Sequence, residues 1–185
     1  MHVAVYSGSF NPLHIGHLAI LRRLVGRFDR VYLVVSPQNP FKDASGNEFG
    51  EARFKAAVEA IARHPELGGK VVADPIELAM DPPHYTIRTL RALKEREPGN
   101  DFTLVIGADN LERFSHWREH DAILREFGIA VFPRKGWHRG HLKARLMKED
   151  PSYRIALLEM PLVTVSSTEI REGLAAGRDV SRLLM

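Results

Sequence analysis

Two histidines, His14 and His17, stand three residues apart around a glycine in the stretch VAVYSGSFNPLHIGHLAIL. The stretch opens as a short apolar run and turns polar at Ser7, Gly8 and Ser9. It bends at Asn11 and Pro12, then enters a segment of helical apolar periodicity. That is the handover from a strand to a helix. A helix start presents free N–H groups and the positive end of the dipole, both of which favour an anion. Spaced one turn apart, the two imidazoles can face one point. Each has a hydrogen bond to donate, and beside phosphate the charged form is favoured. Gly8 lets the backbone come close to a ligand. The chemistry is that of a phosphate cradle. Taken alone, His-x-x-His reads more readily as one capping and one solvated side chain, so the rest of the chain must decide. Zinc is set aside because no further ligands follow at metal spacing.

The same logic recurs at VSSTEIR. Ser166 and Glu169 have the spacing of a capping box. Ser167 and Arg171 then lie one turn apart on one helix face, with Thr168 beside them. Hydroxyls and a guanidinium at a helix start suit phosphate oxygens. Asp109 follows the apolar run LVIGA, either as the N-cap of a helix over 110–114 or as a ligand-facing carboxylate. Trp117, between His116 and Arg118, offers a platform for a flat ligand. Lys42 and Arg134 fall in loops, where each alone would be a solvated charge.

These residues must be positioned by the elements around them. Apolar, β-branched runs at 2–6, 30–36, 71–73, 102–106, 128–132 and 162–165 alternate with segments of helical period at 17–28, 51–64, 86–97, 111–114, 120–127, 139–148 and 167–176. Strand followed by helix, repeated, predicts an α/β fold: a Rossmann-like, doubly wound, mostly parallel sheet with helices on both faces. VYLVV and FTLVI lack polar alternation, as strands buried on both faces do. The basic, polar segment 136–151 reads as a surface excursion. In such sheets ligands bind beyond the carboxyl ends of the strands, where strand order switches. Five of the six turns at that edge carry the candidates: SGSFNPLHIGH, SPQNPFK, GADNLERFSHW, PRKGW and SSTEIR.

Composition sets outer bounds. The 185 residues predict one domain, 1–185. A net charge of +3 suits anionic small molecules and nucleic acid alike. With no cysteine, disulfides and thiolate chemistry are excluded. No signal-peptide pattern and no apolar run of membrane-spanning length is present, so the cytoplasm is the expected compartment and no membrane partner is expected. Aromatics are not interleaved with a basic stripe, which argues against a nucleic-acid partner. Oligomeric state is left open.

Taken together, the motifs resemble the nucleotidyltransferase superfamily with the (H/T)-x-G-H signature. Within it, GSFNPLHIGHLAI, SPQNPFK, HYTIRTL, VIGADNLERFSHW, VFPRKGW and VSSTEIREGLAAGRDVSRLL follow the order and spacing of the nicotinate-nucleotide adenylyltransferase family over about residues 3–184. The resemblance implies attack by the phosphate of nicotinate mononucleotide on the α-phosphorus of ATP, giving deamido-NAD and pyrophosphate, with magnesium arriving on ATP. It implies that His14, His17, Lys42 and Arg171 serve the reacting phosphates. It further implies that Gly8, Ser9, Phe10, Gly107, Asp109, Arg134, Ser167 and Thr168 bind ATP, and that Tyr85, Thr86 and Trp117 bind the mononucleotide. Three positions depart from the family's usual pattern. Asn11 stands where many relatives carry Asp, NPFK replaces PPHK, and Arg88 in YTIRTL replaces an acid. Arg88 is thus expected to bring a cation toward the pyridine-site helix. The alternatives are a sibling enzyme using nicotinamide mononucleotide or another acceptor, such as phosphopantetheine, and a regulatory module that binds nucleotide without catalysis. Trp117 argues against phosphopantetheine, and the two intact histidines against the inactive module.

Overall fold

The computed structural model of the chain describes residues 1–37 and 47–185. Six strands form one sheet in the order β3-β2-β1-β4-β5-β6. They are β1 His2–Gly8, β2 Arg30–Val35, β3 Val71–Asp74, β4 Asp101–Gly107, β5 Ile129–Phe132 and β6 Ile155–Leu157, and every neighbouring pair is parallel. Parallel neighbours need crossovers, which the helices supply. These are α1 Ile15–Val25, α2 Asn47–Ala62, α3 Thr86–Arg96, α4 Ala108–Glu112, the short α5 His120–Ala122 with its π-helical continuation Ile123–Phe127, and α6 Arg139–Glu149. A final helix, α7 Ser167–Ala175, follows the sheet.

Apart from the edge strands β3 and β6, the strands are buried on both faces, and their side chains sort into two cores by the two-residue period. Val3 and Val5, with Tyr32, Val34, Phe102 and Leu104, pack against Leu90 and Leu93 of α3 and Leu142 and Leu146 of α6. Ala4 and Tyr6, with Val31, Leu33 and Val105, pack against Leu21 and Leu24 of α1 and Ala57 and Ala60 of α2. The expected doubly wound architecture is therefore present, with all strands parallel.

Two expectations are corrected. The sixth strand is Ile155–Leu157, paired to β5, and residues 162–165 form no strand. Pro161 has no N–H for a ladder, and Leu162 is 54% exposed, whereas Ile155 is buried. Residues 136–151 are not a mere surface excursion. They hold α6, the crossover between β5 and β6, whose Leu142 and Leu146 join the core. Arg139 opens that helix and donates to the Leu158 carbonyl and to Glu159 (3.1 Å). Among the described residues no helix is long and apolar enough to cross a membrane.

Strand order switches at β1. Its pairing with β2 continues to Gly8↔Val35, but its pairing with β4 stops at Tyr6↔Val105. Beyond Tyr6 the two central strands part, and the crevice that such sheets use for ligands opens there.

Candidate active site

The histidine turn is built by reciprocal backbone bonds. His14 is the residue before α1, in an extended conformation (φ −145°, ψ 169°). The Gly16 N–H donates to His14 Nδ1 (3.1 Å), and the His14 N–H donates to His17 Nδ1 (3.1 Å). The histidines thus form a capping box of their own, with imidazole nitrogens in place of the usual oxygens. Since both Nδ1 atoms accept, each neutral ring carries its proton on Nε2. The ring centroids are 3.7 Å apart. Both residues are buried, at 3% and 9% exposure. Burial is the main force lowering both pKa values. His14 falls to about 4, with Arg134 adding to the effect, and His17 to about 2, with His14 and Arg134 adding. The free protein therefore holds two neutral imidazoles, each with one Nε2–H to give. The imidazolium form expected beside phosphate is not the resting form. Gly16 is dictated by close approach: a Cβ there would collide with Val163 and lie 2.9 Å from the His14 ring.

Around His17 a cleft of about 240 Å³ runs along the parting of β1 and β4. Of the residues singled out from sequence, Gly8, Ser9, Phe10, His17, Thr86, Gly107, Trp117, Arg134 and Ser167 line it. His14 lies behind His17, in ring contact with it. Lys42 lies outside the described residues. Phe10 is held at φ 45°, a costly conformation for a side chain of that size, and its ring folds back over Gly8.

Gly107 precedes α4 as its N-cap, so of the two readings of Asp109 the cap is ruled out. Asp109 is the second helical residue, where a carboxylate is favoured by the dipole. A Cβ on Gly107 would collide with Asp109 Oδ1 and crowd the Phe132 ring, so a larger residue would have to displace both side chains. Asp109 Oδ1 lies 3.6 Å from Arg134 Nε. Neither atom has a hydrogen-bond partner among the described residues, although both are sealed from solvent. The Arg134 guanidinium sits 5.1 Å above the Phe132 ring.

The capping box at α7 is present as expected. The Glu169 N–H donates to Ser166 Oγ (3.2 Å), and the Ser166 N–H donates to Glu169 Oε2 (3.0 Å). The next turn is tied to the bend before the histidines. Ser167 Oγ donates to the Pro12 carbonyl (3.2 Å), and Arg171 donates to the Asn11 carbonyl (2.7 Å) and to Thr168 Oγ1 (3.1 Å). Arg171 and Thr168 thus border the histidine turn without lining the cleft.

On the opposite wall, among the described residues, no side chain caps α3; the Arg88 N–H donates to the Tyr85 carbonyl (2.9 Å), which leaves the N–H groups of Thr86 and Ile87 free. Tyr85 is the residue before that helix; it is 42% exposed and off the cleft lining. Trp117 packs on the buried Phe114 at 5.0 Å between ring centroids. Arg88 does not reach the cleft. Its guanidinium turns back to the carbonyls of Asp81 (3.0 Å) and Pro83 (2.6 Å), which lie nearer on the exposed side of the helix.

Sequence reasoning missed other contributors. Asn110 and Phe132 line the cleft, and both sat unremarked beside residues that were singled out. Arg53 on α2 joins the loops after β1 and β2, donating to the carbonyls of Ser9 (2.5 Å), Ser36 (2.8 Å) and Pro37 (3.0 Å). Nothing in its sequence neighbourhood sets it apart from other polar positions of a surface helix.

Comparison with known proteins agrees with this geometry. A family model described as cytidylyltransferase-like matches residues 5–173. A protein of Bacteroides fragilis named probable nicotinate-nucleotide adenylyltransferase is 38% identical over 97% of this chain and 85% of its own length. One of the same name from Cytophaga hutchinsonii is 35% identical over 92% of this chain and 84% of its own. The solved Plasmodium falciparum nicotinic acid mononucleotide adenylyltransferase complexed with APC superposes with a TM-score of 0.75, covering 97% of this chain and 87% of that one. At 18% identity that likeness is one of fold. A chain matched over nearly its whole length at these levels, with a parallel sheet that parts at a histidine-bearing cleft, belongs to the cytidylyltransferase-like family and, within it, to the nicotinate-nucleotide adenylyltransferases.

Proposed function

We propose that this cleft transfers the adenylyl group of ATP to nicotinate mononucleotide, giving deamido-NAD and pyrophosphate. The observation that carries the reading is the histidine pair: two buried neutral rings whose Nδ1 atoms are both occupied, which leaves two Nε2–H donors at a helix start. The nucleophile needs no activation. A phosphate monoester has a second pKa of about 6 and is largely ionised at neutral pH. A mononucleotide phosphate oxygen forms the new bond to the α-phosphorus, the bond to the β-phosphate oxygen breaks, and pyrophosphate leaves with the electron pair. No proton must be removed, and the protein has to align the reactants and neutralise developing charge.

In this reading His14 and His17 donate to the reacting phosphates, and Lys42, Ser167, Thr168 and Arg171 serve the remaining phosphate oxygens. Gly8, Ser9, Phe10, Gly107, Asp109 and Arg134 hold ATP. Trp117 stacks on the pyridine ring, with Tyr85 and Thr86 beside it. The free N–H groups at the start of α3 favour a carboxylate over a carboxamide, whose NH₂ would face donors. Among the described residues no group of three or more His, Cys, Asp or Glu side chains could hold a metal ion. Magnesium is accordingly assigned to the ATP phosphates as part of the substrate.

The test is pyrophosphate release from magnesium-ATP with nicotinate mononucleotide, run beside the nicotinamide form. Release is expected with either mononucleotide and not when ATP or the mononucleotide is left out, and kcat/KM should favour the acid. If no pyridine mononucleotide yields pyrophosphate, the reading falls.

A further inference from the structure

Tyr6 is the last residue of β1 that still pairs with β4, so it stands at the point where the cleft opens. Its ring is buried, 5% exposed. It packs edge-on against Phe10 (5.3 Å between centroids) and Phe132 (5.9 Å), and lies 6.2 Å from the His17 ring. These neighbours are satisfied by a ring alone. Among the described residues nothing hydrogen-bonds the Tyr6 hydroxyl. Hydroxyls this far inside a protein are normally paired. The hydroxyl is also absent from the polar atoms that are both sealed and unpartnered, so it keeps an opening, and Tyr6 lines the cleft.

We propose that the Tyr6 hydroxyl is a nucleotide-binding group that donates to an oxygen of the adenylyl moiety where ribose meets the α-phosphate. This rests on the adenylyl-transfer reading of the cleft. The location follows from its neighbours. His17 marks the phosphate side and lies 6.2 Å from the Tyr6 ring, while Gly107 and Arg134, which line the same cleft, mark the nucleoside side. Arg134 and Asp109 both act electrostatically on the phenol, which is consistent with that position. Burial pushes its pKa well above the usual tyrosine value, so the group remains a neutral O–H donor wherever the protein is folded. A neutral donor in this place gains from the oxygens of an adenylyl group without adding charge.

Tyr6→Phe isolates the hydroxyl, since the ring and its packing are kept. Binding of ATP and of inorganic pyrophosphate to the full chain, followed by calorimetry with Tm measured in parallel, separates the outcomes. The Kd for ATP should rise about 5- to 10-fold, the range of one ordinary hydrogen bond. The Kd for pyrophosphate, which lacks the adenylyl moiety, should stay within about twofold, and Tm should be unchanged or higher. Unchanged ATP affinity overturns the assignment. So does an equal loss for pyrophosphate, or a Tm that falls together with ATP affinity, which would make the hydroxyl structural. A wild type that binds ATP but releases no pyrophosphate overturns the adenylyltransferase reading instead, and the paired ATP affinities still decide the role of Tyr6.

Discussion

Each histidine of the signature pair has two tasks, divided between its ring nitrogens. Nδ1 closes the capping box and Nε2 keeps the only proton. A side chain that merely capped the helix could be replaced by Asn or Ser, but neither would present a donor on the far side of a rigid ring. His17→Ala should therefore lower kcat about 10²- to 10³-fold, the usual cost of removing a preorganised donor from a site of developing negative charge. Circular dichroism should show the fold intact. A folded His17→Ala variant with near wild-type kcat would make the pair structural. The burial of the two rings predicts a pH dependence of stability. Unfolded, these histidines titrate near 6.5; folded, His14 does so at about 4 and His17 at about 2. Below pH 6.5 the unfolded state therefore binds more protons than the native state. The stability linked to the neutral rings is complete above pH 6.5 and drains as pH falls through about 4. The urea midpoint should decline steadily from pH 6.5 to about pH 4.5, and less steeply in His17→Gln. A wild-type midpoint that is flat across that window would rule out buried neutral rings.

Each element carries functional groups at one end and an apolar face along its length, and the two were unequally visible in the sequence. The first five strands were legible because they read as apolar runs, buried on both faces except at the edge strand β3, where Val72 is exposed. The sixth was misplaced because two apolar runs lie close together, and the choice between them is made by pairing to β5 and by Pro161. The histidine turn and the α7 cap were legible because their bonds are local, spanning three residues or fewer. What escaped were contacts made over long sequence separations. Arg53 reaches back 44 residues to Ser9, and Arg171 reaches 160 residues to Asn11. Arg88 could be recognised as a departure, but its bonds to Asp81 and Pro83 depend on where the loop before α3 passes. Helix α6 was expected at 139–148, but its burial was hidden by composition, since its charged positions outnumber the apolar residues that join the core. Leu146 is 2% exposed and sits in the core beneath the sheet. Leu146→Ala should therefore cost about 2–5 kcal/mol, as for other buried leucines. A surface excursion would tolerate the change within about 0.5 kcal/mol. Denaturant unfolding of the two proteins decides between them.

At the scale of the whole molecule, the cleft is a seam. Strand β1 is continuous with β2 and β3 on one side and meets β4, β5 and β6 on the other, and the two sets separate only beyond Tyr6↔Val105. Gly8, Ser9 and His17 come from the β1 side, while Gly107 and Arg134 come from the β4 and β5 side. A nucleotide seated there touches both sides. It binds the native state and cannot find the same set of groups in the unfolded chain. At about 100 times its Kd such a ligand stabilises by about 2.7 kcal/mol. For a chain of this size each kcal/mol raises Tm by about 2–4 °C, so a non-cleavable ATP analogue at that concentration should raise Tm by about 5–11 °C. The location of the gain is a sharper test than its size. Amide hydrogen exchange should slow most where the central strands part, around residues 7–10 and 106–109. The outer strands β3 and β6 should gain only what global stabilisation provides. Tyr6→Phe should keep that pattern and show a smaller Tm shift at the same analogue concentration, because its affinity is lower. A Tm that does not move, or protection concentrated at an outer edge of the sheet, would place the nucleotide elsewhere and leave the parting of β1 and β4 without a ligand.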